Sequence, residues 1–543
     1  MFCFSGLIQA QQIDQQSVLF QLHGGFKAEE VIQQIAIGDF LPDYEVKLVS
    51  RNLNAYKISY QTSFAPLKLI ELLKSLDEVI LAQPNHILTP RAAPNDLEYG
   101  IQWHLNNTGI NGPPAANAVA GIDIKAEYLW DFTTGGVTAA GDTIVVCIVD
   151  DGIDENHEDF SGNLFYNKNE IPLNGIDDDN NGYIDDYRGW NAFGDNDSLT
   201  NPSSGDLGLH GTKVSGIIGA VGNNALGISG VNHHIKLMTV IGGGDEAEAI
   251  EAYDYPLTMR KLYNNSNGQN GAFIVATNTS WGTNFGQPAD APLWCSMYDS
   301  LGKEGVLNVA ATINFDTDVD LDGDLPTTCP SDYLIAVTNI NSENKKETYA
   351  GYGEQSIDLG APGEGIYTTT FNSTYGYDSG TSFASPQVVG AIGLLSSYAC
   401  LNFAELLMDK PDSAAVLMKS FILNGATGVP DLYGKSVAQG RLDLEQASRW
   451  LDNYCTGNVG FAEQVQPVSS IKLYPNPASD FIQVAGTREL FQLKAYDLAG
   501  RLMFNKREAT NNSPISIAKL PHGVYIFEVL TSEEVFRTRI VKY

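Results

Sequence analysis

The chain has 543 residues, with 32 Lys+Arg against 65 Asp+Glu, a formal charge of −33 and 43% hydrophobic residues. That length exceeds one ordinary hydrophobic core and predicts several domains. The acidic balance argues against nucleic acid as a main partner and favours sites for hard cations, and no run approaches the roughly 18 apolar residues of a transmembrane helix.

Residues 1–12 begin with a short apolar stretch lacking a basic start. They read as a shortened signal peptide, with a buried or frayed N-terminus as the competing reading. Residues 13–93 read as a small α+β module: strands at 17–22, 55–60 and 79–83, and helices at 28–37 and 66–76. A module of this kind ahead of an enzyme-like core suggests a removable propeptide, cut between Pro84 and Asn95. From 94 to 453 buried strands (143–149, 235–240, 272–277, 305–311, 333–338) alternate with helical segments such as 246–263. This is the pattern of an α/β doubly wound parallel sheet, whose carboxyl edge carries ligand and catalytic groups. Of six cysteines, Cys3 leaves with a signal and Cys147 lies in an apolar strand, leaving Cys295, Cys329, Cys400 and Cys455. They allow three pairings, of which 295–329 with 400–455 is the simplest.

Three positions stand at the edges of buried elements. Asp150 ends the run Thr143–Val149, His210 opens a glycine-punctuated helix, and Ser382 in Gly380-Thr-Ser-Phe-Ala-Ser-Pro386 precedes the apolar run Val388–Leu395. Singly they read as a turn Asp, a structural His and a helix-capping Ser. Jointly they supply acid, base and nucleophile. Asn314, after the strand ending at Ala311, can donate an amide hydrogen to an oxyanion, or it is a loop residue.

The segments Val146–Asp154, His210–Gly216 and Gly380–Pro386, in the order Asp, His, Ser, together resemble the subtilases, the subtilisin-like serine proteases, over residues 94–453. The resemblance implies Ser382 as nucleophile, His210 as general base then acid, Asp150 as its orienting carboxylate and Asn314 as oxyanion donor. Thr312-Ile313 departs from the family's usual residues before that Asn. It further implies that Ser280, Trp281 and Gly282 form a substrate-pairing edge. Asp151 and Lys213 resemble kexin-like relatives and hint at a basic residue beside the cleaved one, against the simpler reading of a surface acid.

Asp177, Asp179, Asn181, Gly182, Tyr183, Asp185 and Asp186 follow a calcium-loop pattern of alternating oxygen donors. Position twelve is Arg188, so Asp186 or a residue distant in sequence must complete the shell. Asp318, Asp320 and Asp322 form a second, similar run, and the subtilase resemblance adds Asp159, Asn224 and Asp96 as Ca2+ ligands. After a linker at 454–470, residues 471–543 carry ten Lys+Arg and seven Asp+Glu, a net of +3 against the acidic remainder. Their short strands predict a β-sandwich. Leu473–Asp480, Asp497–Arg501, Leu520–Tyr525 and Arg539–Lys542 resemble the C-terminal sorting domain of the type IX secretion system. That resemblance implies export across the outer membrane, with the secretion machinery as partner and release or surface attachment as the end point; a generic carbohydrate-binding or adhesive β-domain is the alternative. The combined expectation is a secreted, calcium-stabilised serine endopeptidase made as a proenzyme, acting on protein or peptide substrates. A catalytically silent surface binding protein on the same scaffold is the competing reading.

Overall fold

The computed structural model describes residues 13–35, 44–60, 65–86, 93–113, 117–200, 208–456, 472–474, 478–485, 491–496, 502–510, 513–521, 523–531 and 535–542. The leader expected at 1–12, half of the proposed cut region (residues 87–92) and linker residues 457–470 lie outside them. The described chain forms two units, divided after Asn458.

In the first unit, β1 (Ile13–Leu22), α1 (Ala28–Gln34), β2 (Tyr44–Ser50), β3 (Ala55–Tyr60), α2 (Pro66–Lys74) and β4 (Val79–His86) build a small α+β module. Its antiparallel sheet runs β2-β3-β1-β4. Val18, Phe20 and Leu22 of β1 and Ile58 of β3 pack against Val31, Ile32, Leu69 and Leu73 of the two helices. Edge strand β2 is an element the sequence pattern had not revealed; none of its side chains is buried.

The main body adds α3 (Ala126–Trp130), β5 (Ile144–Asp150), β6 (Gly189–Asn191), α4 (Leu209–Gly219), β7 (Lys236–Ile241), α5 (Glu246–Ser266), β8 (Phe273–Thr279), β9 (Thr283–Asn284) and α6 (Pro292–Lys303). It continues through β10 (Leu307–Ala311), α7 (Val319–Asp322), β11 (Asp324–Leu325), β12 (Leu334–Ile340), β13 (Leu359–Pro362), β14 (Ile366–Thr370), β15 (Thr374–Asp378) and α8 (Ser385–Tyr398). The helices α9 (Leu401–Asp409) and α10 (Pro411–Asn424), the strands β16 (Thr427–Gly428) and β17 (Gly440–Arg441), and α11 (Leu444–Cys455) close it. Nine strands form one sheet in the order β16-β17-β13-β12-β10-β8-β5-β7-β6, parallel except for the β16–β17 pair.

β5 is buried along its whole length because both neighbours and both faces are occupied. Ile144, Val146 and Ile148 pack with Val214 and Ile218 of α4 and Val388 and Ile392 of α8. Val145, Cys147 and Val149 pack on the other face with Ala249 and Tyr253 of α5 and Trp294 and Tyr298 of α6. A strand covered on both sides needs no polar alternation, which is why it reads as a continuous β-branched run. From β5 the chain first adds β6 and β7 on one side and then β8 on the other. The strand order therefore reverses at β5, where open α/β sheets place their binding crevice. Cys295 is bonded to Cys329 and Cys400 to Cys455, while Cys147 is a buried free thiol. Because α11 continues through Cys455 and that residue is tied to Cys400, the main body extends past the expected boundary at 453.

In the second unit, β18 (Lys472–Tyr474), β19 (Phe481–Ala485) and β22 (Ile515–Ser516) form one sheet. The strands β20 (Phe491–Tyr496), β21 (Leu502–Ala509), β23 (Gly523–Leu530) and β24 (Val535–Lys542) form the other, in the order β21-β20-β23-β24. Ile482 and Val484 share a core with Leu493, Phe527 and Val529, as a two-sheet sandwich requires. Among the described residues no single helix is long and apolar enough to cross a membrane.

Candidate active site

Because β5, β8 and β10 are adjacent and parallel, their carboxyl ends open on one edge. Asp150 is the last residue of β5, Ser280 follows β8, and Asn314 lies three residues beyond β10. The helix carrying His210 is pressed onto the loop after β5. Gly208, the residue before α4, has φ 78°, and a Cβ on Gly211 would meet the Gly152 carbonyl oxygen at 2.0 Å. That approach seats the His210 imidazole with its Nδ1 2.8 Å from Asp150 Oδ1. Asp151 occupies the helix start instead of facing a ligand: it accepts from the His210 and Gly211 backbone N–H groups at 3.0 and 2.7 Å. These bonds satisfy two of the orphan donors of that helix end. Lys213 pairs with Asp378 at 2.6 Å.

Asp150 is the main cause of a His210 pKa raised to about 9; burial opposes the shift and Asp151 adds to it. The Asp150–His210 pair is thus an oriented, strongly basic imidazole.

Ser382 lies in a 3-10 turn, Thr381–Phe383, entered through Gly380 at φ 152°. The N-cap of α8 is Ala384, so Ser382 precedes the helix by a turn and is not its cap. Its Oγ donates to the Ser280 carbonyl oxygen at 3.1 Å, and not to His210. The neighbouring Phe383 ring lies 5.8 Å from the imidazole. Asn314 Oδ1 accepts from the Thr381 N–H and hydroxyl at 3.0 and 3.1 Å. An N–H must have an acceptor opposite it, so the Thr381 N–H bond fixes which end of the amide is oxygen; Nδ2 donates to no partner among the described residues, and Asn314 lines the same cleft as Ser382.

Ser280, Trp281 and Gly282 run along the same cleft. Ser280 Oγ donates to the Ser382 carbonyl, and Trp281 Nε1 donates to the Val149 carbonyl at 2.7 Å. A Cβ on Gly282 would meet the Leu325 carbonyl oxygen at 2.0 Å, so this segment lies tight against β11. Asp324, two residues beyond the Asp318–Asp322 run, is buried on the cleft wall. Burial pushes its carboxyl up to about 6.

The expected cation ligands divide. Glu170, Asp177 and Asp179 bring three carboxylate oxygens within 4.8 Å of one another. Glu170 was not foreseen, and it lies seven residues before the loop, outside any motif spacing. Its Oε1 accepts from the Asp178 and Asp179 N–H groups, while its buried Oε2 has no partner. Asn181 borders the cluster, accepting from Tyr183 N–H and donating to Asp186. Asp185 turns away to the Asn174 and Gly175 N–H groups. Asp186 is committed to Asn167, Asn181 and the Tyr255 hydroxyl. The Tyr183 side chain packs on Trp190 and bonds Asp254. Asp96, Asp159 and Asn224 do meet: Asn224 donates its side chain to Asp159 at 2.8 Å and its backbone N–H to Asp96 at 3.0 Å. Asp318, Asp320 and Asp322 do not form a three-carboxylate cluster among the described residues. Asp318 caps the helical turn α7, whose rotation of about 100° per residue points alternate side chains apart. Asp320 accepts from Gln355 and Ser356, and Asp322 from Thr317.

A parallel α/β sheet whose carboxyl edge gathers a carboxylate–imidazole pair, a serine and a free amide donor defines a hydrolase-type site. Residues 141–443 match the subtilase family, and residues 472–543 match the secretion system C-terminal sorting domain. The chain belongs to the subtilase family. Its sorting domain marks it for export through the type IX secretion system. Similar proteins include the "Subtilisin-like protease 1" of Plasmodium berghei, 30% identical over 326 residues that make up 56% of this chain and 48% of that protein. The "Extracellular basic protease" of Dichelobacter nodosus is 28% identical over 349 residues, 61% of this chain and 52% of that protein. The chain thus spans about half the length of these curated relatives. A solved structure described as "Proteases from Pseudoalteromonas arctica PAMC 21717" aligns with a TM-score of 0.44 and 23% identity, over 66% of this chain and 99% of that one.

Proposed function

We propose that this chain is an exported serine endopeptidase in which Asp150, His210 and Ser382 act as a triad. The observation that carries the reading is the 2.8 Å Asp150–His210 bond, with the imidazole 5.8 Å from the ring of Phe383, the residue after Ser382 in the cleft that also holds the Asn314 amide. Rotation of Ser382 about χ1 exchanges its bond to Ser280 for one to His210, a change that substrate binding commonly brings about. Ser382 Oγ attacks the scissile carbonyl carbon and its proton passes to His210. The oxyanion is received by Asn314 Nδ2, and His210 then gives its proton to the leaving amine nitrogen. Water, activated by the same imidazole, releases the acyl group. Extended peptide pairs with the backbone of Ser280–Gly282.

In this reading residues 13–93 are the propeptide, 94–453 and the following helical residues the peptidase, and 471–543 the segment handed to the secretion machinery. Ca2+ stabilises the fold without entering the chemistry. The Glu170–Asp177–Asp179 cluster fits it best, since the buried Oε2 of Glu170 lacks a partner among the described residues and burial, with the acidic neighbours adding to it, raises the Glu170 and Asp179 carboxyls. Asp96, Asp159 and Asn224 are a second proposed position.

The test is Ser382→Ala. The purified variant is expected to lose casein hydrolysis and labelling by a fluorophosphonate while keeping its melting temperature. Equal cleavage by variant and parent would sink the triad, and a parent that neither labels nor cleaves would identify a silent scaffold.

A further inference from the structure

Asp324 is the only ionisable side chain among the described residues lining the cleft with Ser382 and Asn314; the other walls are Ser280–Gly282 and Ala311–Ile313. It is 3% exposed. Its Oδ2 is held by the Thr312 hydroxyl at 2.9 Å, the Ile313 N–H at 3.0 Å and the Thr327 hydroxyl at 2.5 Å. Oδ1 has no hydrogen-bond partner among the described residues, and it is not sealed from solvent. Among the described residues no cationic side chain pairs with the carboxylate. The chain around it is anchored: β11 pairs with β9 at Asp324↔Asn284, and the Cys295–Cys329 bond ties the following loop to α6. A buried carboxylate on the wall of an otherwise neutral cleft, with one oxygen held by three donors and the other unpartnered among the described residues, is an unfilled cation acceptor.

We propose that Asp324 is the specificity-determining residue of the cleft, accepting the ammonium or guanidinium of a Lys or Arg whose own carbonyl is the one cleaved. This rests on the peptidase reading above. The structural alternative is that Asp324 serves only to hold Thr312 and Ile313 in place.

The experiment uses the full chain after maturation and four peptidyl coumarylamides differing only in the residue before the scissile bond: Lys, Arg, Leu and Phe. The parent is expected to favour Lys and Arg over Leu and Phe by at least about tenfold in kcat/KM. Asp324→Asn keeps an oxygen for the three donors but turns an amide into the cleft. It is expected to lower kcat/KM for Lys and Arg by about 10²-fold while leaving Leu within about threefold of the parent. A parent that prefers Leu or Phe, or shows no preference, overturns the inference whether or not the variant folds. An Asp324→Asn loss equal for all four substrates overturns it in favour of the structural role. Fluorophosphonate labelling of the parent separates the failures. A labelled parent with the wrong preference sinks only the role of Asp324, whereas an unlabelled, inactive parent sinks the peptidase reading and the inference with it.

Discussion

Replacing Gly211 by Ala tests whether the close seating of α4 is what holds His210 against Asp150. The added Cβ would lie 2.0 Å from the Gly152 carbonyl oxygen, 3.1 Å from Asp151 Oδ1 and 3.2 Å from Asp150 Cβ. The first neighbour is backbone and cannot swing aside. Since a Cβ essentially never approaches another heavy atom closer than 3.0 Å, the helix start must retreat by about 1 Å. The His210–Asp150 bond, now 2.8 Å, would then exceed hydrogen-bonding range. A displacement of about 1 Å at a catalytic group costs on the order of 10²-fold in rate. Steady-state kinetics on a peptide substrate, the fluorophosphonate labelling rate and thermal melting together report the outcome. Both kcat/KM and labelling should fall by about 10²-fold, with KM nearly unchanged. Gly219→Ala at the far end of α4 is the control. There a Cβ would meet the Ile235 and Leu237 side chains at 2.6 and 3.1 Å, so the cost falls on packing and stability, with kcat within about threefold. A Gly211→Ala enzyme with kcat/KM within about threefold of the parent would refute the reasoning.

Catalysis by His210 needs the neutral imidazole, and Asp150 raises its pKa to about 9. The acid limb of kcat/KM should therefore lie on the alkaline side of the ordinary histidine value, with activity rising as pH rises through it. The same shift has the opposite sign for stability: the contribution is complete below the unfolded histidine pKa and is lost as pH climbs through about 9. Melting temperature against pH checks it. Asn314→Ala should lower kcat by about 10²- to 10³-fold with little change in KM, whereas a loss confined to KM would remove Asn314 from oxyanion binding. EDTA should lower the melting temperature of the parent, and Glu170→Gln should blunt that response; an unchanged parent would count against bound calcium.

Much of the sheet was legible from the sequence because buried parallel strands leave long β-branched runs, as in Ile144–Asp150 and Leu334–Ile340. Short elements such as β6 and β13 were not, since three or four residues carry no period. Asp150, His210 and Ser382 could be picked out because each sits in a short local string. Glu170 and Asp324 could not. One stands apart from its loop, and the other looked like the last member of an acidic run that the structure folds into a helical turn and a strand.

The sequence by itself determined the family, the α/β class, the β-sandwich tail and the residue types available for chemistry, because these depend on composition and local spacing. Only the tertiary structure decided which oxygens are already satisfied. It placed Asp151 at a helix start and Asp185 in a turn, and among the described residues it left Glu170 Oε2 without a partner and bonded Asp324 through Oδ2 alone. Hydrogen-bond satisfaction depends on donors distant in sequence, and no local pattern records them.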